Sequence, residues 1–522
     1  MRKIIVTIFL INVCFFAQAQ ISGILQTIEI EISGRPTWQK IIPLGKNGVL
    51  LFAKKDITKA LAIRFDTNLK KVWETEVFLD VEGEPSFYSL DNKFVTFMFS
   101  ENQGMYYQLF RIDLDDGKFE NMGFELREYF QDQNYIYFDN QILMAGLNEN
   151  GASFYKYNFK ADVGELISAG LRGKTKVQYF KYLPEKNIIE SLWSVKVLGY
   201  TNEKKKKGEF IKDAFVVFAK YDTTGKLIQK NIIHSSAGNF PLTASLTKID
   251  SVTKIITGTY QSNTGNKGLF FSKIDADKTT LTKFYDYRIL LKGTPNIDDE
   301  IVKKIANSHI FSPSEVSIDN NVISLGGTFY KSIYQVVSSS SPFYNNSNPY
   351  TANNPLFLNA NFNNPHSQSK QVFKGYSYLN GLVANFDLEG NLMSQSRVDL
   401  SQLSPQLDVA LAISSNKSVV TCVKGNLLIG NNLGFTNAKT FKLSDEEGDV
   451  KNAQYIPTYQ GVRNWYENYF IANGSRIKFE VLKDKNAPKE KPSKRKKGQQ
   501  QLPETNIKKI IYLSKVRSSE FY

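Results

Sequence analysis

Cysteine and histidine are nearly missing from this chain, at two and three copies in 522 residues. The first cysteine, Cys14, sits inside an apolar N-terminal run, and the second, Cys422, sits in the strand-like Val419-Val420-Thr421-Cys422-Val423. If the leader is removed, one cysteine remains and no internal disulfide is possible. Cys422 then reads as a small buried hydrophobe. His234, His309 and His366 show no metal-ligand spacing and accompany no Ser or Cys nucleophile motif. A phosphate loop is also absent, because Gly258 and Gly265 are wrongly spaced and Lys267 lacks a following Ser or Thr. Asp113, Asp115 and Asp116 lack the remaining ligands of a calcium loop. No metal, cofactor or catalytic residue is therefore assigned. After Phe16 no apolar run approaches the roughly 20 residues of a membrane span.

The N-terminus carries the pattern of a secretion signal. Arg2 and Lys3 precede the apolar run Ile4 to Phe16, and Ala17-Gln18-Ala19 offers small residues for cleavage after Ala19. Val13 before Cys14 is bulkier than lipidation favours. The expectation is an exported protein of the periplasm, outer surface or extracellular space, with residues 1–19 as signal and 20–522 as one domain. A net charge of +14 makes the chain basic, and 42% hydrophobic residues with 13% aromatics can supply a core without crosslinks.

One unit recurs along the chain: an apolar strand, a loop, a second strand ending in an aromatic or aliphatic residue and Asp, a turn, and a third strand. Its clearest copies pair Ile256–Tyr260 with Gly268–Asp275, Leu325–Tyr330 with Gly381–Leu392, and Leu198–Thr201 with Phe215–Leu227. Asp-x-x-Gly supplies the turn, since Asp bonds its own backbone ahead and Gly takes positive φ. The same ending occurs at Phe65-Asp66 and Ile112-Asp113, and in weaker form at Tyr157-Asn158 and Leu443-Ser444-Asp445, with a final candidate at Ile510–Leu513. Such repetition predicts an all-β fold, a β-propeller of seven or eight four-stranded blades. A sandwich would also give many short strands, but not the same wording in each. The last unit, Arg476–Leu482 and Ile507–Val516, ends without an outer strand, and the alternation from Ile24 to Glu31 predicts that residues near 23–31 pair with 507–516 and close the ring.

The loop between the Gly-containing and Asp-ending strands varies most, from Gly258–Asp275 through Gly199–Asp222 to Gly327–Asp387. In a propeller these loops share one face. Insertions are expected at about 338–374 and 483–506. The candidate contacts for an anionic partner are Lys204, Lys205, Lys206 and Lys207 in one loop and Lys494, Arg495, Lys496 and Lys497 in another. Asp298-Asp299-Glu300 heads a helical pattern with Ile301, Val302 and Ile305 on one face, expected to be a packing insertion between blades. Glu82, Glu84, Asp298, Asp299 and Glu300 are acids that no turn accounts for.

Phe65-Asp66-Thr67-Asn68-Leu69-Lys70-Lys71-Val72-Trp73 resembles the repeat of bacterial quinoprotein-type propellers, in which Asp, a Gly-Lys turn and Trp recur; Asp113–Lys118 and Asp222–Lys226 share its first part. The resemblance implies a related architecture. Quinone-dependent members use a vicinal disulfide and calcium ligands that this chain lacks, whereas scaffold members that help assemble outer-membrane proteins remain a fair comparison. The reading is an exported, non-enzymatic binding or scaffold module for a protein or glycan partner of the cell envelope, with no nucleic acid expected. The alternative is a carbohydrate-active hydrolase or lyase using paired carboxylates.

Overall fold

A computed structural model describes residues 24–33, 37–101, 105–202, 208–276, 278–294, 297–338, 369–404, 411–414, 419–424, 427–432, 439–443, 453–455, 460–481 and 505–521. Eight antiparallel sheets, each built on four strand positions, form an eight-bladed β-propeller. Blade 1 shows the plan from the inside outwards: strand A is Gln39–Pro43, B is Val49–Lys54, C is Lys59–Phe65 and D is Lys71–Phe78. The two central strands bury nearly every residue because both faces pack against other blades. Outer strand D is mostly exposed.

The ring is visible in the core. Among the described residues the buried apolar side chains fall into eight clusters, each between consecutive blades. Phe52 of blade 1 and Phe97 of blade 2 stand 4.2 Å apart between ring centroids. The eighth cluster joins Ile471, Ile511 and Leu513 of the last blade to Val49, Leu51 and Ile63 of the first. Each fully buried Leu, Ile or Phe in these seams stabilises by roughly 1.5–3 kcal/mol. Cys422 is fully buried in the cluster between blades 6 and 7.

Closure uses the strand expected from the sequence. Ile24–Ser33 is the outer strand of blade 8, antiparallel to Thr505–Arg517, with Ile24 opposite Val516 and Ser33 opposite Lys508. The first and last strands among the described residues thus share one sheet. Lys515 reinforces the seam: its Nζ donates to the Thr67 carbonyl of blade 1 at 2.8 Å and lies 4.5 Å from the Tyr469 ring centroid and 5.3 Å from that of Tyr466.

The Asp-x-x-Gly turns join strands C and D and also dock neighbouring blades. Asp222 Oδ1 accepts from the Thr224 and Lys226 amides at 2.9 and 3.0 Å, while Gly225 adopts φ +84°. In blade 2 the turn receives the preceding blade: Trp73 Nε1 donates to the Leu114 carbonyl at 2.9 Å, and Thr75 Oγ1 donates to that of Gly117 at 3.0 Å. Tyr285 of blade 5 donates to the Gly390 carbonyl of blade 6, and Lys156 of blade 3 to Thr223 of blade 4.

One repeat was misplaced by sequence. Leu443 follows the outer strand of blade 7, Lys439–Lys442, whereas the strand in the Asp-ending position is Leu427–Asn432. That blade's strands are short, so turn chemistry was the only signal and it belonged to another connection.

Candidate functional site

Strands alternate in direction, so the B–C loops and the D–A connections between blades leave the same end of the ring. Blades 4, 6 and 8 extend B and C into ribbons there. Pairing continues to Thr201 opposite Gly208, Ser338 opposite Ser369, and Val481 opposite Thr505. Lys204–Lys207 belong to the first of these loops and Lys494–Lys497 to the third; both sets, like most of the 338–374 insertion, lie outside the described residues. The stems beneath them emerge on one face, as the repeat register requires.

The D–A connection between blades 5 and 6 carries two helices onto this face, α1 (Tyr287–Lys292) and α2 (Asp299–Ser308). Asp286 and Asp298 cap them by accepting from the Arg288 and Glu300 amides. Tyr287, Leu290, Leu291, Val302 and Ile305 are buried in the seam between blades 5 and 6, so packing holds the pair rigidly. The expected packing insertion is present, but its outer surface is charged in a pattern that sequence reading did not register. Arg288, Lys292, Lys303 and Asn307 line an open groove of about 390 Å³, together with Asp299 and Val302. Asp299 pairs with Lys292 at 3.2 Å, and Arg288 donates to Asn307 Oδ1 at 3.5 Å.

Beside the groove, His309 ends the connection and is almost fully buried. Burial lowers its pKa from the ordinary value, and Lys331, Lys304 and Lys267 depress it further. These cations come from strand B of blade 6, from α2 and from strand C of blade 5 respectively. Lys267 Nζ also donates to the His309 carbonyl at 3.5 Å. Lys303 and Lys304 are consecutive on α2, so the helix turns one cation toward the groove and the next toward His309, while Asp298, Asp299 and Glu300 stand at its start.

Of the unassigned acids, Glu84 and Asp299 have cationic partners and Asp298 caps α2, whereas at Glu82 it is the main-chain carbonyl that is engaged. Glu84 pairs with Lys40 at 3.1 Å, and the Glu82 carbonyl accepts from Lys54 Nζ at 3.2 Å. Burial lowers the Lys54 pKa. The more buried carboxylate nearby is one that sequence reading passed over: Asp132 on strand A of blade 3 accepts from the Tyr107 hydroxyl of blade 2 at 2.9 Å. Desolvation raises the pKa of both. Asp80 accepts from Gln108 at 2.7 Å and Tyr106 at 3.4 Å, and because Tyr106 and Tyr107 point to opposite sides of blade 2, that sheet separates Asp80 from Asp132. Among the described residues no group of three His, Cys, Asp or Glu side chains is placed to hold a metal ion, and no helix is long and apolar enough to cross a membrane.

The blade 6 ribbon carries aromatic rings in file: Tyr330 to Tyr376 at 5.5 Å, Tyr376 to Phe373 at 5.0 Å, and Phe373 to Tyr334 at 5.6 Å between centroids. Tyr330 and Tyr376 pack with the blade 6 and 7 cluster, on the side opposite Phe329 and the helices.

Fold and site together define an eight-bladed β-propeller with a charged helical insertion on its ribbon-bearing face. No protein-family model matches the chain, and no curated protein matches it. Among solved structures it is similar to an uncharacterised protein from Listeria monocytogenes, at 10% identity and TM-score 0.38 over 81% of this chain and 99% of that one. A functionally unknown protein from Desulfotomaculum acetoxidans gives 10% identity and TM-score 0.34 over 75% and 94%. Cobalt-substituted apocarotenoid oxygenase from Synechocystis gives 7% identity and TM-score 0.31 over 48% of this chain, which spans 62% of the oxygenase. Likenesses this distant do not bear on chemistry, and they support neither a quinoprotein nor an assembly-scaffold type.

Proposed function

We propose that this propeller is an exported, non-enzymatic binding or scaffold module, meeting a protein or glycan of the cell envelope through its ribbon-bearing face. The observation that carries the reading is convergence: three extended ribbons and the helix pair all leave the same end of an otherwise regular ring. A rigid scaffold with elaborations gathered at one end is the usual design of a recognition surface. Export itself rests on the leader pattern of residues 1–19. The basic loops Lys204–Lys207 and Lys494–Lys497 extend from the stems of blades 4 and 8, so an anionic envelope component suits this face.

The test is retention of the purified mature protein on isolated envelope fractions. Replacing Lys204–Lys207 and Lys494–Lys497 with Ser is expected to weaken retention at low salt, where exposed charges are least screened. Retention unchanged by both replacements would refute an electrostatic role for these loops.

A further inference from the structure

We infer that the cation-lined groove between α1 and α2 is a binding site for an acidic polysaccharide, a sugar polymer bearing carboxylate or phosphate groups; this rests on reading the ribbon-bearing face as a recognition surface and names its ligand class. The groove side supplies Arg288, Lys292 and Lys303, and the adjoining side supplies Lys267, Lys304 and Lys331. Asp299 is the one carboxylate lining the groove among the described residues, and Lys292 already engages it. Positive charge from three elements thus gathers around one helix that Val302 and Ile305 anchor in the core, at 1% and 0% exposure. The cations are held in place before a ligand arrives, which reduces the ordering entropy that binding must overcome.

Shape and chemistry together select the ligand. At about 390 Å³ the groove lies within the range of small-molecule sites, a volume that admits one or two sugar units of a longer chain. Its walls are Lys and Arg side chains, whose aliphatic stems accept the C–H faces of a sugar while their heads accept its acid groups. Asn307 adds an amide for hydroxyls. A second cationic cluster on the next face of α2 extends recognition to a neighbouring acidic unit, which favours a polymer over a single anion. A protein partner would draw most of its energy from aromatic or aliphatic anchors in desolvated pockets, and this groove, walled by the aliphatic stems of Arg288, Lys292 and Lys303, is open to solvent. A nucleic acid would call for rings beside the cations, but the aromatic file of the blade 6 ribbon packs toward blade 7, away from the helices.

The experiment measures binding of the mature protein to three probes by calorimetry at low and high salt: polygalacturonate, phosphorylated dextran and neutral dextran. Saturable binding of at least one acidic polymer, weakened by salt, with none to neutral dextran, is expected; which acidic polymer binds more tightly identifies the acid group. The variant Lys267→Ser/Lys304→Ser/Lys331→Ser is expected to lose about tenfold in affinity, from three charge contacts of about 0.5 kcal/mol each. Arg288→Ser/Lys303→Ser is expected to lose severalfold, and the corresponding Lys→Arg changes to retain binding. Lys186→Ser/Lys226→Ser, on turns at the other end of the ring, serves as the charge control. Absence of saturable binding to both acidic polymers overturns the inference, as does an equal loss in the control variant. If the acidic polymers fail while envelope retention still depends on Lys204–Lys207 or Lys494–Lys497, the ligand class is wrong and the binding-module reading stands.

Discussion

The glycines of the C–D turns do two jobs at once, and substitution can separate them. Gly117, Gly225 and Gly390 all have positive φ, at +73°, +84° and +70°. Gly45, in the A–B turn of blade 1, shares the conformation at +60° but has nothing within 4 Å of where a Cβ would stand. Placing L-alanine in this region costs about 1 kcal/mol at all four positions. The neighbours then differ. A Cβ at Gly117 would stand 2.8 Å from Trp73 Cδ2 and Thr75 Oγ1, and one at Gly390 2.5 Å from Phe271 Cδ1, both from the preceding blade. At Gly225 the nearest atoms are Ile167 Cδ1 and Cγ2, both at 3.1 Å, an overlap that a shift of a few tenths of an ångström relieves. Forcing a methyl group into a packed seam adds roughly 1–3 kcal/mol. Urea unfolding followed by tryptophan fluorescence is therefore expected to rank the losses as Gly390→Ala and Gly117→Ala at about 2–4 kcal/mol, Gly225→Ala at about 1–2, and Gly45→Ala at about 1. Adding Trp73→Ala to Gly117→Ala should relieve the overlap and give a coupling of about 1 kcal/mol or more. Equal losses at all four glycines, or strict additivity of that pair, would show that the turns do not dock the blades.

These turns also explain why so much of the fold was legible. Asp66, Asp113, Asp222 and Asp387 bond amides two to four residues ahead, so their signal is local and survives in sequence. The closing strand was legible because the alternation at Ile28 and Ile30 gives one apolar face, which packs against Ile511 and Leu513. Blade 7 was not, because its strands are short and no Asp-x-x-Gly marks the end of Leu427–Asn432. The site was harder to read for a physical reason. Amphipathicity identified α2 and its buried face, but the polar face of any surface helix carries lysines, so Lys303 and Lys304 read as ordinary solvation. Their significance depends on Lys267 and Lys331, which lie on strands of two different blades and meet α2 only through the ring. Asp132 was hidden likewise, since its partner Tyr107 comes from the neighbouring blade.

The remaining predictions concern the seam between blades 8 and 1. A chain begun after Ser33 lacks the outer strand of blade 8 and leaves the Lys508–Val516 edge open, so size-exclusion chromatography is expected to show self-association where the chain that keeps this strand elutes as a sharper, smaller species. Lys515→Met removes the hydrogen bond to Thr67 and the contacts with Tyr466 and Tyr469, and is expected to cost about 1–3 kcal/mol in urea unfolding; an unchanged midpoint would show that the seam does not depend on this cation. Lys509 makes a contrasting case, because it lies 5% exposed in strand C of blade 8 and burial lowers its pKa to about 7 from an ordinary 10.5. Below pH 7 both folded and unfolded chains hold the proton, and the folded chain carries a desolvated ammonium. Between about pH 7 and 10.5 the unfolded chain binds a proton that the folded chain does not, so this residue makes stability rise with pH across that window. At about 1.4 kcal/mol per pKa unit the ceiling on the rise is near 5 kcal/mol. Lys509→Met is therefore expected to be more stable than the parent at pH 6, with the advantage shrinking steadily toward pH 10. Parallel stability profiles for the two proteins would mean that the amine does not titrate in the folded state, and that its charge is accommodated in the seam at all these pH values.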